Sequence, residues 1–432
     1  MGSTLGRSVA CVLVTLLLLT AADDRQRRQH GMFLYQTLFS PPQPVRNPEQ
    51  PSVVGRSNSV LCDSPDGTTG VCYPEEECEQ LGGLSLAPCD DQQRVCCLVE
   101  KSCRNVTSEV VSYFVNPSYP NQDRAGTFCD FRIDVLDEDI CQVRMDFEQF
   151  SLSGPHRTLG ICRNDRFIVT TSLPNGIGLS ELCGENGGQH IYVPVDAAIG
   201  SASVSIMIMT SGIKPYQWRI RATQINCKEN VNLAAPQGCL QYYTELSGSI
   251  QSFNYYHGQG HYQSNLDYSI CILRSPNTCR VEYRQAEDSI FWINSADSEY
   301  LEENIGRAGT ASCDLTTHDY LHIPDGRGAT SDDYDDETQF HDDPSSFSIS
   351  SSDKFCGRSL SGLAVIEEAE HLKSGYVLDP PENTSVSSAV TSFASGPIVL
   401  RFHSDDVTEP EKETGFHITY KQLGTGCMRS LR

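Results

Sequence analysis

The stretch Ile398-Val399-Leu400-Arg401-Phe402-His403-Ser404-Asp405 leads, after a polar loop, to Gly415-Phe416-His417-Ile418-Thr419-Tyr420. Phe416, Ile418 and Tyr420 alternate with polar residues, the period of a strand with one buried face. The rhythm recurs upstream. Gly248-Ser249-Ile250-Gln251-Ser252-Phe253 repeats it, and Asp319-Tyr320-Leu321-His322-Ile323-Pro324-Asp325-Gly326 reads as a short strand ending in a turn. Val143, Met145 and Phe147 carry the same pattern, and Phe150 and Leu152 resume it after a one-residue shift that marks a β-bulge. Ile206 with Ile208, and Trp218 with Ile220, supply closing strands. Short strands separated by Gly, Pro and Asn turns imply an all-β chain built from antiparallel β-sandwiches.

The 19 cysteines organise the rest of the 432 residues. Such a content suits an oxidising compartment. At the N-terminus, Arg7 precedes an 11-residue apolar run from Val9 to Leu19, and Thr20, Ala21 and Ala22 offer small residues for cleavage. Residues 1–22 therefore read as a signal peptide, too short in its apolar run to span a bilayer. Cys11 leaves with it, and 18 cysteines, an even number, remain. Residues 23–61, rich in Pro, Gln and Arg, read as a flexible leader, with Arg25-Gln26-Arg27-Arg28 either a dibasic processing site or a basic tail. The formal net charge of −24 argues against a nucleic-acid partner, and no later stretch is apolar enough for a membrane span. The sequons at Asn105 and Asn383 fit a secreted glycoprotein with those asparagines in exposed loops.

The cysteines fall into three sixes. Cys62, Cys72, Cys78, Cys89, Cys96 and Cys97 occupy residues 62–97, a segment too small for an apolar core, so disulfides must carry its stability. Adjacent Cys96 and Cys97 must both reach backward, but spacing does not choose among fifteen connectivities. The second six span 103–227 and the third 239–427 in a similar order, which reads as an internal duplication with insertions in the second copy.

Gly70-Val71-Cys72-Tyr73-Pro74-Glu75-Glu76-Glu77-Cys78, with Arg94-Val95-Cys96-Cys97, resembles the clip domain of arthropod secreted proteins. The resemblance implies pairs Cys62–Cys96, Cys72–Cys89 and Cys78–Cys97. Both later units resemble the CUB domain, a β-sandwich of extracellular proteins. In the second unit the likeness rests on Asp319-Tyr320 to Gly326, on Phe355-Cys356-Gly357, and on Phe402-x-Ser404-Asp405 with Gly415-Phe416. In the first it rests on Asn116-Pro117-Ser118-Tyr119-Pro120, on Leu182-Cys183-Gly184 and on the gap from Cys103 to Cys129. It implies pairs Cys103–Cys129, Cys162–Cys183, Cys239–Cys271 and Cys313–Cys356. Cys141 with Cys227, and Cys279 with Cys427, are extra; pairing them would tie an inner strand to the last residue of each unit.

Some CUB domains bind calcium through a Tyr, a Glu and two Asp, and capture a partner's Lys there. Calcium requires six to eight oxygen ligands, hence clustered carboxylates. By resemblance Asp319 and Asp405 stand at the two Asp positions of the second unit. No Glu is placed, with Glu282, Glu287 and Asp288 all nearby; the plainer reading is a pair of turn-capping carboxylates. The first unit has Asp165, but Thr210-Ser211-Gly212 replaces the Ser-Asp expected beside it, so no calcium site is expected there. The insert at 331–353, with Ser331-Asp332-Asp333-Tyr334-Asp335-Asp336-Glu337 and Asp342-Asp343-Pro344, reads as a solvating loop or as a docking patch for a basic partner, with Tyr334 placed for sulfation. His257-x3-His261 and His318-x3-His322 have no third ligand at metal spacing. No nucleophile–base motif or phosphate-cradling loop is present, and no thiol is left unassigned.

The reading is thus two CUB-like sandwiches preceded by a small clip-like knot, in a secreted, non-enzymatic protein that binds extracellular proteins. It requires no cofactor, calcium in the second unit being the one the resemblance brings. The alternative is a non-catalytic regulator of an extracellular serine-protease cascade, acting through the knot.

Overall fold

A computed structural model describes residues 60–89, 94–171, 178–197, 202–293, 319–328, 353–357 and 389–424, together with 173, 313 and 360. The expected signal peptide, nearly all of the leader, the acidic run with Tyr334, His318, Asn383 and Cys427 lie outside the described residues. The described residues belong to one compact unit, Gly55–Arg432.

The fold is nearly all-β and CUB-like. It opens with β1 (Leu61–Asp63), β2 (Thr69–Pro74), a short helix α1 (Glu75–Gln80), β3 (Leu84–Pro88) and β4 (Arg94–Leu98), joined in the order β1-β2-β4-β3. Leu61, read as the end of the leader, already belongs to β1 because it pairs with Val71. Three disulfides hold this sheet: Cys62–Cys96, Cys72–Cys89 and Cys78–Cys97.

The chain continues through β5 (Glu100–Lys101), β6 (Asn105–Thr107), β7 (Val111–Val115), β8 (Thr127–Asp134), β9 (Ile140–Ser151), β10 (Arg166–Thr171), β11 (His190–Pro194), β12 (Ser203–Thr210) and β13 (Gln217–Asn226). These form two facing sheets, β10-β12-β8-β6 and β11-β9-β13-β7-β5. The expected bulge is present. Arg219 opposes Gln149 while Ile220 opposes Phe147, so Glu148 is the extra residue. The shift keeps both Phe147 and Phe150 in the core, where each ring meets Phe167 edge-on.

A second pair of sheets follows, from β14 (Cys239–Tyr243), β15 (Ser247–Gln251), β16 (Asp267–Ile272), β17 (Arg280–Gln285), β18 (Tyr320–His322), β19 (Gly326–Gly328), β20 (Lys354–Phe355), β21 (Ala389–Ser392), β22 (Ile398–His403) and β23 (His417–Leu423). Their orders are β14-β16-β22-β18-β20 and β15-β23-β17-β21-β19. Phe416, Ile418 and Tyr420 are buried, as alternation requires. Pairing is antiparallel within each sandwich except at edges, where β5 joins β7, β6 joins β8 and β14 joins β16 in parallel. Two of these exceptions adjoin disulfides, Cys103–Cys129 and Cys239–Cys271, which hold an incoming segment alongside a strand already in the sheet. Asp353, read as the end of the acidic insert, is built into the fold: its backbone carbonyl accepts Ile323 N and its Oδ1 accepts Asp325 N, both at 2.7 Å.

The knot is docked on the first sandwich. Every residue of β7 is buried, because its outward face is covered by Val71, Tyr73, Cys97 and Leu98. Tyr113 OH donates to Thr69 O at 2.9 Å and accepts from Thr69 N at 3.2 Å, and Tyr73 OH donates to Glu109 Oε2 at 2.6 Å. A single apolar cluster runs through both sandwiches, with Phe114, Phe131 and Trp218 in the first and Phe253, Phe402 and Phe416 in the second.

Candidate functional site

One end of the second sandwich gathers three carboxylates from two loops. Asp319 directly precedes β18, and Asp405 follows β22 by two residues. Because Tyr320 opposes His403 in the antiparallel pair, the start of one strand lies beside the end of the other. Asp405 N donates to Asp319 Oδ1 at 2.7 Å, and Tyr262 OH donates to Asp319 Oδ2 at 2.5 Å. Asp405 is itself held by its loop, its carbonyl accepting Asn265 N at 2.7 Å and its Oδ1 accepting Val407 N at 2.8 Å.

The third carboxylate is Glu413, from the polar loop before β23, and sequence reasoning did not single it out. The residue is 1% exposed. Glu413 Oε1 accepts the Glu409 backbone amide, whereas Oε2 is buried with no hydrogen-bond partner among the described residues. Burial, reinforced by the charges of Asp319, Asp405 and Glu409, pushes the Glu413 carboxyl up to about 7. Burial also raises Asp319 to about 7, with Asp405 adding to it against the opposing bonds from Tyr262 and Asp405 N. Two buried acids that resist ionisation, one carrying an orphan oxygen, form a site that a cation would relieve. The carboxylates do not close into a tight cage. Among the described residues, the only three metal-type donors all within 4.8 Å of one another are Cys62, Cys89 and Cys96, all disulfide-bonded.

Glu282, Glu287 and Asp288 do not enter this site by any described contact. Glu282 is paired with Arg284 through Nε at 2.7 Å and Nη2 at 3.0 Å, and Glu287 and Asp288 are exposed in the turn after β17. Nothing in the sequence distinguished Glu413 from other loop acids, since burial in a loop has no periodic signature.

The first sandwich carries the same corner in closed form. Asp165 precedes β10 and is fully buried; it accepts Ser153 N at 2.8 Å, Ser211 N at 2.9 Å and Ser211 Oγ at 3.1 Å. Where the second sandwich offers the Asp405 carboxylate, Ser211 offers a hydroxyl that donates, and Asp165 is satisfied without a cation.

The other singled-out residues fall as follows. Asn105 is exposed on β6, its Nδ2 donating to Ser102 O at 3.2 Å and Cys103 O at 3.1 Å. Disulfides also join Cys141–Cys227, Cys162–Cys183 and Cys313–Cys356, and Cys279 is disulfide-bonded. His257 lies in a left-handed turn (φ 54°), and His261 has its Nδ1 3.3 Å from Tyr262 O. His322 faces Asp353 at 4.0 Å. None of these histidines joins a three-donor cluster among the described residues.

Comparison with known proteins gives three results. A search of curated proteins found no match. Among solved structures, the CUB1-EGF-CUB2 domain of human MASP-1/3 is similar at 12% identity, covering 73% of this chain and 100% of that one with a TM-score of 0.22. The MASP-1 CUB2 domain bound to Ca2+ is 19% identical, over 28% of this chain and 98% of that one, with a TM-score of 0.22. The full extracellular region of zebrafish Gpr126/Adgrg6 is 11% identical over 74% of this chain and 36% of that one, with a TM-score of 0.23. The Animal CUB domain family matches residues 236–423, the span of the second sandwich with its carboxylate corner.

Proposed function

We propose that this chain is a secreted, non-enzymatic extracellular adaptor that binds other proteins through its CUB-like sandwiches, with calcium organising the ligand end of the second. The observation that carries this reading is Glu413 Oε2, a buried carboxylate oxygen without a hydrogen-bond partner among the described residues, set beside Asp319 and Asp405. Asp319, Asp405 and Glu413 are the residues that would hold the ion, and Tyr262 orients Asp319. Bound calcium supplies positive charge to a corner where burial and mutual repulsion otherwise hold two acids back from ionisation. The protein's own part is to keep loops 262–265, 319 and 405–413 in one place, so that the exposed surface around them is presented rigidly.

The clip-like knot, the arthropod-type architecture and the secretory N-terminus belong to the same proposal. So does the absence of catalysis: no nucleophile–base motif occurs in the sequence, and the described cysteines are disulfide-bonded. Among the described residues no helix is long and apolar enough to cross a membrane.

Calorimetry of calcium binding to the full chain tests the metal, with Asp405→Ala and Glu413→Gln as variants. Heat with the wild type and none with either variant is expected. Equal heats, or none with any protein, would remove calcium from the reading. Affinity capture from extracellular fluid, run with calcium and with chelator, then tests the adaptor role. Partners retained only with calcium and lost with Asp405→Ala are expected, and capture indifferent to both would overturn it.

A further inference from the structure

The two sandwiches meet along strand edges. β11 is the outermost strand of one sheet and β14 of another, and the two pack against each other where both would otherwise present open edges. Polar bonds close this seam beside a buried apolar cluster of Tyr192, Ile225, Ala235, Tyr242 and Cys271. Asn254 N donates to Asn186 Oδ1 at 2.8 Å, Glu185 N donates to Asn254 Oδ1 at 2.9 Å, and Gln189 Nε2 donates to Ser252 O at 3.2 Å. A seam made this way depends on each group keeping its hydrogen-bonding state.

His190, on β11, is the member of the seam whose state can change. It is 6% exposed, and its Nε2 lies 3.1 Å from Tyr242 N and 3.0 Å from Tyr242 O on β14. A backbone N–H only donates, so its bond to the ring requires the lone pair that protonation removes. The surrounding charges do not welcome a cation. On β9, Asp146 is the register partner of His190, but its carboxylate already receives Arg144 at 2.7 Å and Arg221 at 3.2 Å. On β11 itself, Tyr192 is committed to Arg144 Nη1 at 2.9 Å. From β14 come the phenols of Tyr242 and Tyr243, both held neutral by burial, and beyond them Glu245 brings one carboxylate.

We propose that His190 is an acid-sensitive latch between the two sandwiches: protonation of its ring releases β14 from β11 and frees the second sandwich to move relative to the first. Charging His190 in the closed seam puts a third cation around one carboxylate and breaks the Tyr242 N–H bond, whereas in the opened seam the ring is hydrated. Burial first, and the Arg144 charge second, push the ring from its ordinary 6.5 down to about 4, against weaker pulls from Asp146, Tyr242 O and Glu245. The closed seam is at full strength above about 6.5. As pH falls, the open form takes the proton first, and the loss is complete near 4. Open gains on closed by up to roughly tenfold per pH unit, with ~300-fold as the ceiling that the gap between 6.5 and about 4 allows.

Hydrogen–deuterium exchange on the full chain tests the latch, comparing pH 7.5 with pH 4.5 after correction for intrinsic exchange. Peptides covering β11 and β14 are expected to lose protection at pH 4.5 while β12 and β22 keep theirs. His190→Gln, which bonds to Tyr242 without titrating, is expected to keep the seam closed at pH 4.5. Wild-type seam peptides protected equally at both pH values would overturn the proposal, as would equal loss in His190→Gln. Arg144→Gln gives an independent reading should the first variant fold poorly. Its seam is expected to open at lower pH than wild type, and opening at the same or higher pH would overturn the latch.

Discussion

Asp319 accepts the backbone amide of Asp405 at 2.7 Å across 86 positions of sequence, and Asp165 accepts that of Ser211 at 2.9 Å in the other sandwich. The corner is therefore built twice on one plan. In the first sandwich a serine hydroxyl closes the bonding. In the second an aspartate takes its place, with Glu413 behind it, and acidic groups accumulate that burial holds back from ionisation.

Calcium should raise the thermal stability of the full chain, since a ligand at a hundredfold its dissociation constant contributes about 2.7 kcal/mol. Glu413→Gln should abolish that gain while leaving the chelated protein as stable as wild type or more so, because a buried repulsive charge is removed. Melting with and without chelator checks both halves; a calcium-induced shift that survives the substitution would count against the corner.

The same residues set a pH dependence. Asp319 and Glu413 lie near 7 in the folded chain against 3.8 and 4.5 ordinarily, so the fold takes up their protons first. A raised carboxyl favours the fold fully below its unfolded value, and that contribution is lost as pH rises through about 7. The stabilisation by calcium should therefore grow between pH 5 and pH 7.5, and calcium titrations by melting at several pH values measure it. His190 runs the other way, weakening the seam as pH falls from 6.5 to about 4.

Tyr113→Phe should cost about 1–3 kcal/mol, because the backbone N–H and C=O of Thr69 both lose the Tyr113 hydroxyl. The loss should be concentrated in the knot, whose β2 peptides would exchange faster while β12 stays protected. Deleting residues 62–97 would uncover Tyr113, so loss of binding after such a deletion would not by itself separate a cascade regulator from an adaptor.

Gly160→Ala should open the seam near the carboxylate corner. Gly160 has φ +61°, and an added Cβ would lie 1.8 Å from Ser264 Oγ and 2.4 Å from Thr408 Oγ1. Its carbonyl accepts Ser264 N at 3.0 Å, so the first sandwich touches the loop that leads into β16. Faster exchange at 260–266 with the cores of both sandwiches unchanged is the expected result; an unaltered pattern would show that the loop tolerates the side chain.

Strands and the bulge were legible because their information is local. A period of two in Phe416, Ile418 and Tyr420, or its one-residue slip between Phe147 and Phe150, names a buried face without reference to any other segment. Cysteine count and order carried the division into three sixes. The acidic corner was half legible. Asp319 and Asp405 border strands that pair, so their meeting follows from sheet geometry, whereas Glu413 and Tyr262 arrive from loops whose paths no period describes. The seam was not legible at all: His190, Gln189 and Asn254 are ordinary strand and loop residues until two edges are brought together. Patterning acts over a few residues and survives in the chain as written. Buried charge, orphan oxygens and shared edges depend on which distant groups exclude water from one another, and that is settled only when the sheets pack.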